Sequence, residues 1–199
     1  MTARKPSAIR RIEIADAALN IVATHGIGAL TTRSLADAVG LSSGALFKHY
    51  LTRDAILLAM AERGAELLGS TFPEGSLVPT ERLRRFAASR VALVSAQSGI
   101  LTLVMCEQFA LALPLKATAV LQEAIRDTHA FVVDAIEEGQ REGSLRDDVP
   151  AQGLALLFMG AIQMTLLTRR TRAVSSGNAA FDALDVLMSR THTSHENDR

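Results

Sequence analysis

The sequence predicts an all-α fold: an N-terminal three-helix domain with a helix-turn-helix, followed by a larger helical domain. Three observations carry this. Apolar residues recur at three-to-four spacing along nearly the whole chain, and no segment sustains alternation at period two. Two short helical segments meet at a glycine within residues 31–50. Capping residues and Gly/Pro/Ser clusters punctuate the chain at intervals of one helix.

Taken in order, Ile9, Ile12, Ala15, Leu19 and Val22 mark a first helix that His25-Gly26 ends. Thr31-Thr32 opens a short helix through Val39, Gly40 stops it, and another runs from Ser42 or Ser43 to Tyr50. Thr52 is placed to cap a longer helix through Ser70, with Asp54 at its positive end. Phe72-Pro73-Glu74-Gly75-Ser76 reads as the clearest loop. Thr80-Glu81 opens a helix to Ala96, and a shorter apolar segment spans Ile100 to Leu113 before Pro114. Lys116 to Glu142 is the longest helical stretch, closed by Gly143. Asp147-Asp148-Val149-Pro150 leads into the strongly apolar Ala151 to Arg172. A last helix is expected over Ala179 to Arg190, and the polar residues 191–199 read as a disordered tail.

The bulk properties narrow the class. The chain has 199 residues, enough for one large domain or two small ones. A single cysteine excludes a disulfide scaffold and fits a reducing cytoplasm. No window reaches about 18 uninterrupted apolar residues, and the run Gly153 to Leu167 contains Gln163 and meets Arg169 and Arg170, so no spanning helix and no membrane partner are expected. Lys+Arg and Asp+Glu are both 21, yet the charge is uneven. Residues 1–53 hold seven bases (Arg4, Lys5, Arg10, Arg11, Arg33, Lys48, Arg53) against three acids (Glu13, Asp16, Asp37). A basic head on a mildly acidic body suggests that the head meets a polyanion.

The informative stretch is Thr31 to Tyr50, TTRSLADAVGLSSGALFKHY. Ala36 is small where the second helix must cross the first. Gly40 can take the left-handed conformation of a tight turn. Leu35, Val39, Leu41 and Leu46 form the apolar seam between the two helices. That leaves Ser42, Ser43, Ala45, Lys48 and His49 on the outer face of the second helix, all small or polar. Nothing acidic or bulky keeps that face out of a major groove.

On these residues, positions 9–60 resemble the DNA-binding domain of TetR-family transcriptional regulators. Ile12 to Leu19 matches the family's first helix, Leu30-Thr31-Thr32-Arg33 the opening of the second, and Gly40 to Tyr50 the turn and recognition helix. Arg53-Asp54-Ala55-Ile56-Leu57 resembles the start of the fourth. Phe47 stands where the family usually has a tyrosine, and Arg53 where it usually has a lysine. The resemblance implies phosphate contacts from Thr32 and Arg33, base-facing positions at Ser42, Ser43, Ala45 and Lys48, and backbone-facing positions at His49 and Arg53. It places Phe47 within the same DNA-binding set. The domain boundaries that follow are 8–54 for the DNA-binding head, 55–190 for a helical effector-binding and dimerisation domain, and 191–199 for the tail.

For the body, the resemblance implies a pocket for a small effector. The Met- and Phe-rich helices from Thr80 to Arg172 supply Phe86, Met105, Phe109, Met159 and Met164 as candidate walls, with Thr102, Gln108, His129 and Gln163 as polar candidates. The helices Lys116–Glu142 and Ala151–Arg172 resemble the family's dimer-forming pair, and Gly153, Gly160 and Ala161 lie near one stripe of the latter. The helix Thr52–Ser70 is expected to be the lone lever between head and pocket. The implied protein is a cytoplasmic homodimer and not an enzyme. It binds a palindromic operator in double-stranded DNA, needs no cofactor or metal, and is released by a largely apolar ligand. The alternative is an all-α enzyme or interaction module that uses the body pocket without DNA.

Other signals are weaker. Gly40-Leu41-Ser42-Ser43-Gly44 fits the G-x-S-x-G nucleophile elbow, but a helix precedes it and no β-rich region could build the sheet. Cys106 sits in the apolar run Leu103-Val104-Met105 and reads as a small buried hydrophobe. His192 and His195 lie in the polar tail, where spacing alone supports no metal site.

Overall fold

A computed structural model describes residues 6–105, 111–171, 185, 188 and 189. Among these, every regular element is helical. Helix α1 spans Ser7–His25, and a single 3-10 turn Ile27–Ala29 leads to α2, Thr32–Ala38. Then come α3 (Ser43–Phe47), α4 (Arg53–Gly69), α5 (Pro79–Ala96), α6 (Gly99–Met105), α7 (Leu115–Arg141) and α8 (Ala151–Thr171). The expected helix 42–50 is shorter than its pattern, because the backbone tightens after Phe47. Lys48 N–H donates to Ala45 O and His49 N–H to Leu46 O, three residues back. The segment expected to run to Leu113 is helical through Met105, and Cys106 lies outside the described residues, as do the tail and most of the expected last helix.

The packing groups the chain into two compact units, Met1–Thr71 with Ala92–Arg126, and Phe72–Val91 with Asp127–Arg199. The first unit is larger than the expected head of residues 8–54. Its core joins Ile14, Ala18, Leu19 and Val22 of α1 to Leu35, Ala36, Leu46 and Tyr50 of the motif. It extends through Ile56, Leu57 and Met60 of α4 to Leu103, Ala117 and Leu121. Helix α6 packs directly on α1. A Cβ built on Gly99 would lie 2.2 Å from the carbonyl oxygen of Leu19, a backbone atom, so only glycine lets the helices approach this closely. Helix α4 is therefore not the lone element packed against the head, as its position in the sequence suggested.

The second unit is built around phenylalanines. The Phe86 ring lies 5.8 Å from Phe72, 5.2 Å from Phe131 and 6.4 Å from Phe158. Leu83, Ala87, Val132, Ile136, Leu154, Ala155, Phe158 and Ile162 complete the buried set. Gln140 on α7 pins the turn before α8 by donating to the carbonyls of Arg146 and Val149, each at 2.8 Å.

Helix α8 is apolar on two faces. Leu154, Ala155, Phe158, Ile162 and Leu166 are buried, whereas Leu156, Leu157, Met164 and Leu167 are 51–74% exposed. Its window Ala151–Thr168 has a mean hydropathy of 1.5, with 39% of it buried. By length and composition this window is apolar enough to cross a membrane, despite lacking an unbroken apolar run.

Candidate nucleic-acid interface

The motif is assembled by caps at each helix start. Thr31 and Ser34 form a reciprocal capping box on α2: Ser34 N–H donates to Thr31 Oγ1, and Thr31 N–H donates to Ser34 Oγ, both at 3.0 Å. At the turn Gly40 takes φ +66°, where a side chain would be strained, and Leu41 N–H donates to Ala36 O at 2.9 Å. Ser42 caps α3 by accepting from Ala45 N–H at 3.1 Å, and Thr52 caps α4 by accepting from Ala55 N–H at 3.1 Å. Buried Leu35, Ala36, Leu46 and Tyr50 fix the crossing.

This geometry leaves most of the expected DNA-facing residues accessible. Ser42, Ser43, Phe47, Lys48 and Arg53 are exposed, as is Arg33 on α2. Thr32, Ala45 and His49 are half-buried. Ser42 serves its own helix as a cap and retains its hydroxyl proton for a further partner. Phe47 is 39% exposed. Two of the basic-head residues point elsewhere than the charge count implied. Arg10 donates to the carbonyl of Val39 and Arg11, an exposed side chain, to that of His49, so both are engaged with the motif's own backbone.

The body residues scatter. Phe86 is fully buried, Met159 is half-buried, and Thr102 has a buried Oγ1 with no hydrogen-bond acceptor or donor beside it. Gln108 and Phe109 lie outside the described residues, and the Met105 side chain does as well. His129, Gln163 and Met164 depart from the expectation: all three are exposed, Met164 at 58%. His129 occupies an outward face of α7; Gln163 and Met164 occupy one of α8, where apolar residues on both sides leave the spacing unable to say which side turns inward.

Arg90 is the residue that composition hides. It is 6% exposed, stands 4.7 Å over the ring of Phe86 and 5.9 Å from that of Phe72, and donates to Thr128 Oγ1 at 3.3 Å. Burial lowers its pKa to about 10. It lies on the stripe Leu83, Phe86, Ala87, Val91 of α5, a spacing that marks it as inward despite its charge.

A capped helix-turn-helix whose outer face carries no acid defines a DNA-binding regulator of the helical class. Comparison with known proteins agrees. Residues 14–60 match the family described as bacterial regulatory proteins, tetR family. The chain is 30% identical over 146 residues to the HTH-type transcriptional repressor AcnR of Corynebacterium efficiens, covering 73% of this chain and 74% of that one. Among solved structures it resembles the ketosteroid transcriptional regulator KstR2 of Mycobacterium tuberculosis, at 18% identity and a TM-score of 0.74 over 91% of this chain and 95% of that one. It also resembles AibR, solved with isovaleryl coenzyme A and operator DNA, at 17% identity and a TM-score of 0.75 over 90% and 98%. The chain belongs to the TetR family.

Proposed function

We propose that this protein is a homodimeric repressor that binds a palindromic operator and leaves it when a small, largely apolar effector binds the body. The observation that carries the reading is the accessible face of α3, where Ser43, Phe47 and Lys48 stand exposed above a buried seam. Relatives named as transcriptional repressors support its sign, and no reading as an enzyme or interaction module draws comparable support. In this division of labour residues 8–54 carry the DNA contacts and residues 55–190 the effector and dimer contacts. The action belongs to the cytoplasm, where bacterial DNA lies.

Within that reading, Thr32, Arg33 and Arg53 hold phosphates while Ser42, Ser43, Ala45 and Lys48 face base edges. Two motifs related by a dyad read half-sites about 34–36 Å apart. The dyad is served by the outward stripe of α8, with Leu156, Leu157, Gly160, Met164 and Leu167 spaced at one helix period.

The test is a mobility shift on palindromes found beside the coding sequence, with a thermal-shift screen of apolar compounds run in parallel. Retardation of one palindrome over an unrelated duplex, and its reversal by a stabilising compound, are the expected results. Retention of every duplex alike would remove the repressor reading. A stabilising compound that leaves operator affinity unchanged would remove the effector reading alone.

A further inference from the structure

Helix α3 has five residues and ends at Phe47, so its pitch must be set by contacts from outside it. Two consecutive arginines on the first turns of α1 reach the far ends of both motif helices. Arg10 Nη1 donates to the carbonyl of Val39, at the end of α2, at 3.3 Å, while pairing with Glu13 at 2.9 Å. Arg11 Nε and Nη2 both donate to the carbonyl of His49, just beyond α3, at 3.2 and 3.0 Å. The contact is answered in return. Tyr50 Oη donates to the carbonyl of Arg11 at 3.2 Å, and the Arg11 guanidinium stands 5.0 Å over the Tyr50 ring. Ser7 Oγ lies 3.5 Å from His49 Nδ1 on the same side. Tyr50 is itself 8% exposed and part of the unit's core, so the clasp is anchored at one end.

We propose that Arg11 is a positioning residue for sequence reading: its fork, closed by Tyr50, fixes the angle of α3 without touching DNA. The inference rests on the operator-binding role of α3 and goes beyond it. A carbonyl past a helix end needs a donor, and a guanidinium supplies two N–H groups in one plane. Base-edge readout tolerates displacements of only about 0.5 Å, whereas phosphate contact by flexible side chains tolerates more. Loss of the clasp therefore costs discrimination before it costs general affinity. Loss of a phosphate contact does the reverse: it weakens every duplex alike and lowers the salt slope by about one unit.

The test uses the full chain and fluorescence anisotropy on the operator and an unrelated duplex of equal length, each over a salt series. Arg11→Met keeps the aliphatic stem. It is expected to weaken operator binding about fivefold to tenfold while leaving the unrelated duplex and its salt slope unchanged. Arg11→Lys, a point charge without the fork, recovers less than half of that loss. Tyr50→Phe keeps the Arg11 charge, removes the returning bond, and narrows the operator preference about twofold to threefold. This variant decides the matter if Arg11→Met melts early. Equal losses on both duplexes, a lowered slope and full rescue by lysine would make Arg11 a phosphate contact and overturn the proposal. Wild-type preference in Tyr50→Phe together with Arg11→Met would also overturn it. A wild-type chain that retards no duplex fails the repressor reading instead, which these variants do not address.

Discussion

Lys48 and Arg53 carry like charges a few residues apart, yet the proposed reading gives them different tasks. Lys48 follows the last turn of α3, and Arg53 opens α4 beside the Thr52 cap. Lys48→Ala should cost about 1–3 kcal/mol on the preferred operator and relax preference at one position per half-site. Arg53→Ala should weaken all sequences alike and lower the salt slope by about one unit. Binding-site selection on each variant separates the two, and sequence-blind losses from both would remove Lys48 from base readout. Tyr50 offers a second measurement, because the chain holds one tyrosine and no tryptophan. Burial raises its pKa, Arg11 opposes that rise and Glu62 adds to it. The folded phenol thus keeps its proton to a higher pH than the unfolded one, so the folded state binds more protons between the two values. Its contribution is whole below the ordinary tyrosine value near 10 and is lost as pH rises through the folded value. Tyrosinate absorbance should titrate above about 10 in the native protein and return to that value in denaturant. A native midpoint at or below it would contradict the burial.

At the scale of elements, α1 is gripped at both ends. Its first turns hold the motif, and its Leu19 carbonyl lies against Gly99 of α6. Gly99→Ala puts a methyl onto backbone that cannot swing aside, and should destabilise the chain by about 1–3 kcal/mol. A urea transition with a lowered midpoint and unchanged m-value is the expected signature; an unchanged midpoint would mean the helices separate freely. Helix positions were largely legible because caps and glycines are local chemistry: Thr31, Ser42, Thr52 and Gly40 all act where their types suggest. Which face turns inward was legible only where one face is polar. On α1 the spacing Ile9, Ile12, Ala15, Leu19, Val22 identifies Ala15, Leu19 and Val22 as core, whereas Ile9 and Ile12 are exposed and the buried Ile14 and Ala18 stand outside that spacing. On α8 both faces are apolar, so Met164 and Gln163 could be placed by packing alone. Arg90 shows the opposite failure, a charge that conceals an inward position which its spacing with Phe86 and Ala87 reveals. The Arg11 clasp has no sequence signature, since its acceptor is a main-chain carbonyl 38 residues away.

For the molecule as a whole, the outward stripe of α8 gathers four exposed large apolar residues on one helix, and a second copy of the chain is the proposed occupant. Leu157→Glu places a charge at the middle of that stripe, on a side chain already 56% exposed, so the subunit itself should fold with little loss. Light scattering should report twice the 21.3 kDa chain mass for the wild type and one chain mass for the variant. The variant should also lose the tight complex with the full palindrome while still holding a single half-site weakly. A variant that remains dimeric would move the interface elsewhere.

That stripe also sets how the protein counts itself. If pairing across α8 is strong, operator occupancy follows the concentration of chains in simple proportion, and a cell with half the protein keeps most of its repression. If pairing is weak at cellular abundance, occupancy follows the square of concentration, and the same halving releases far more of the promoter. Under the proposed pairing across α8, each leucine exposed there adjusts a gene-dosage threshold from outside the DNA-reading face.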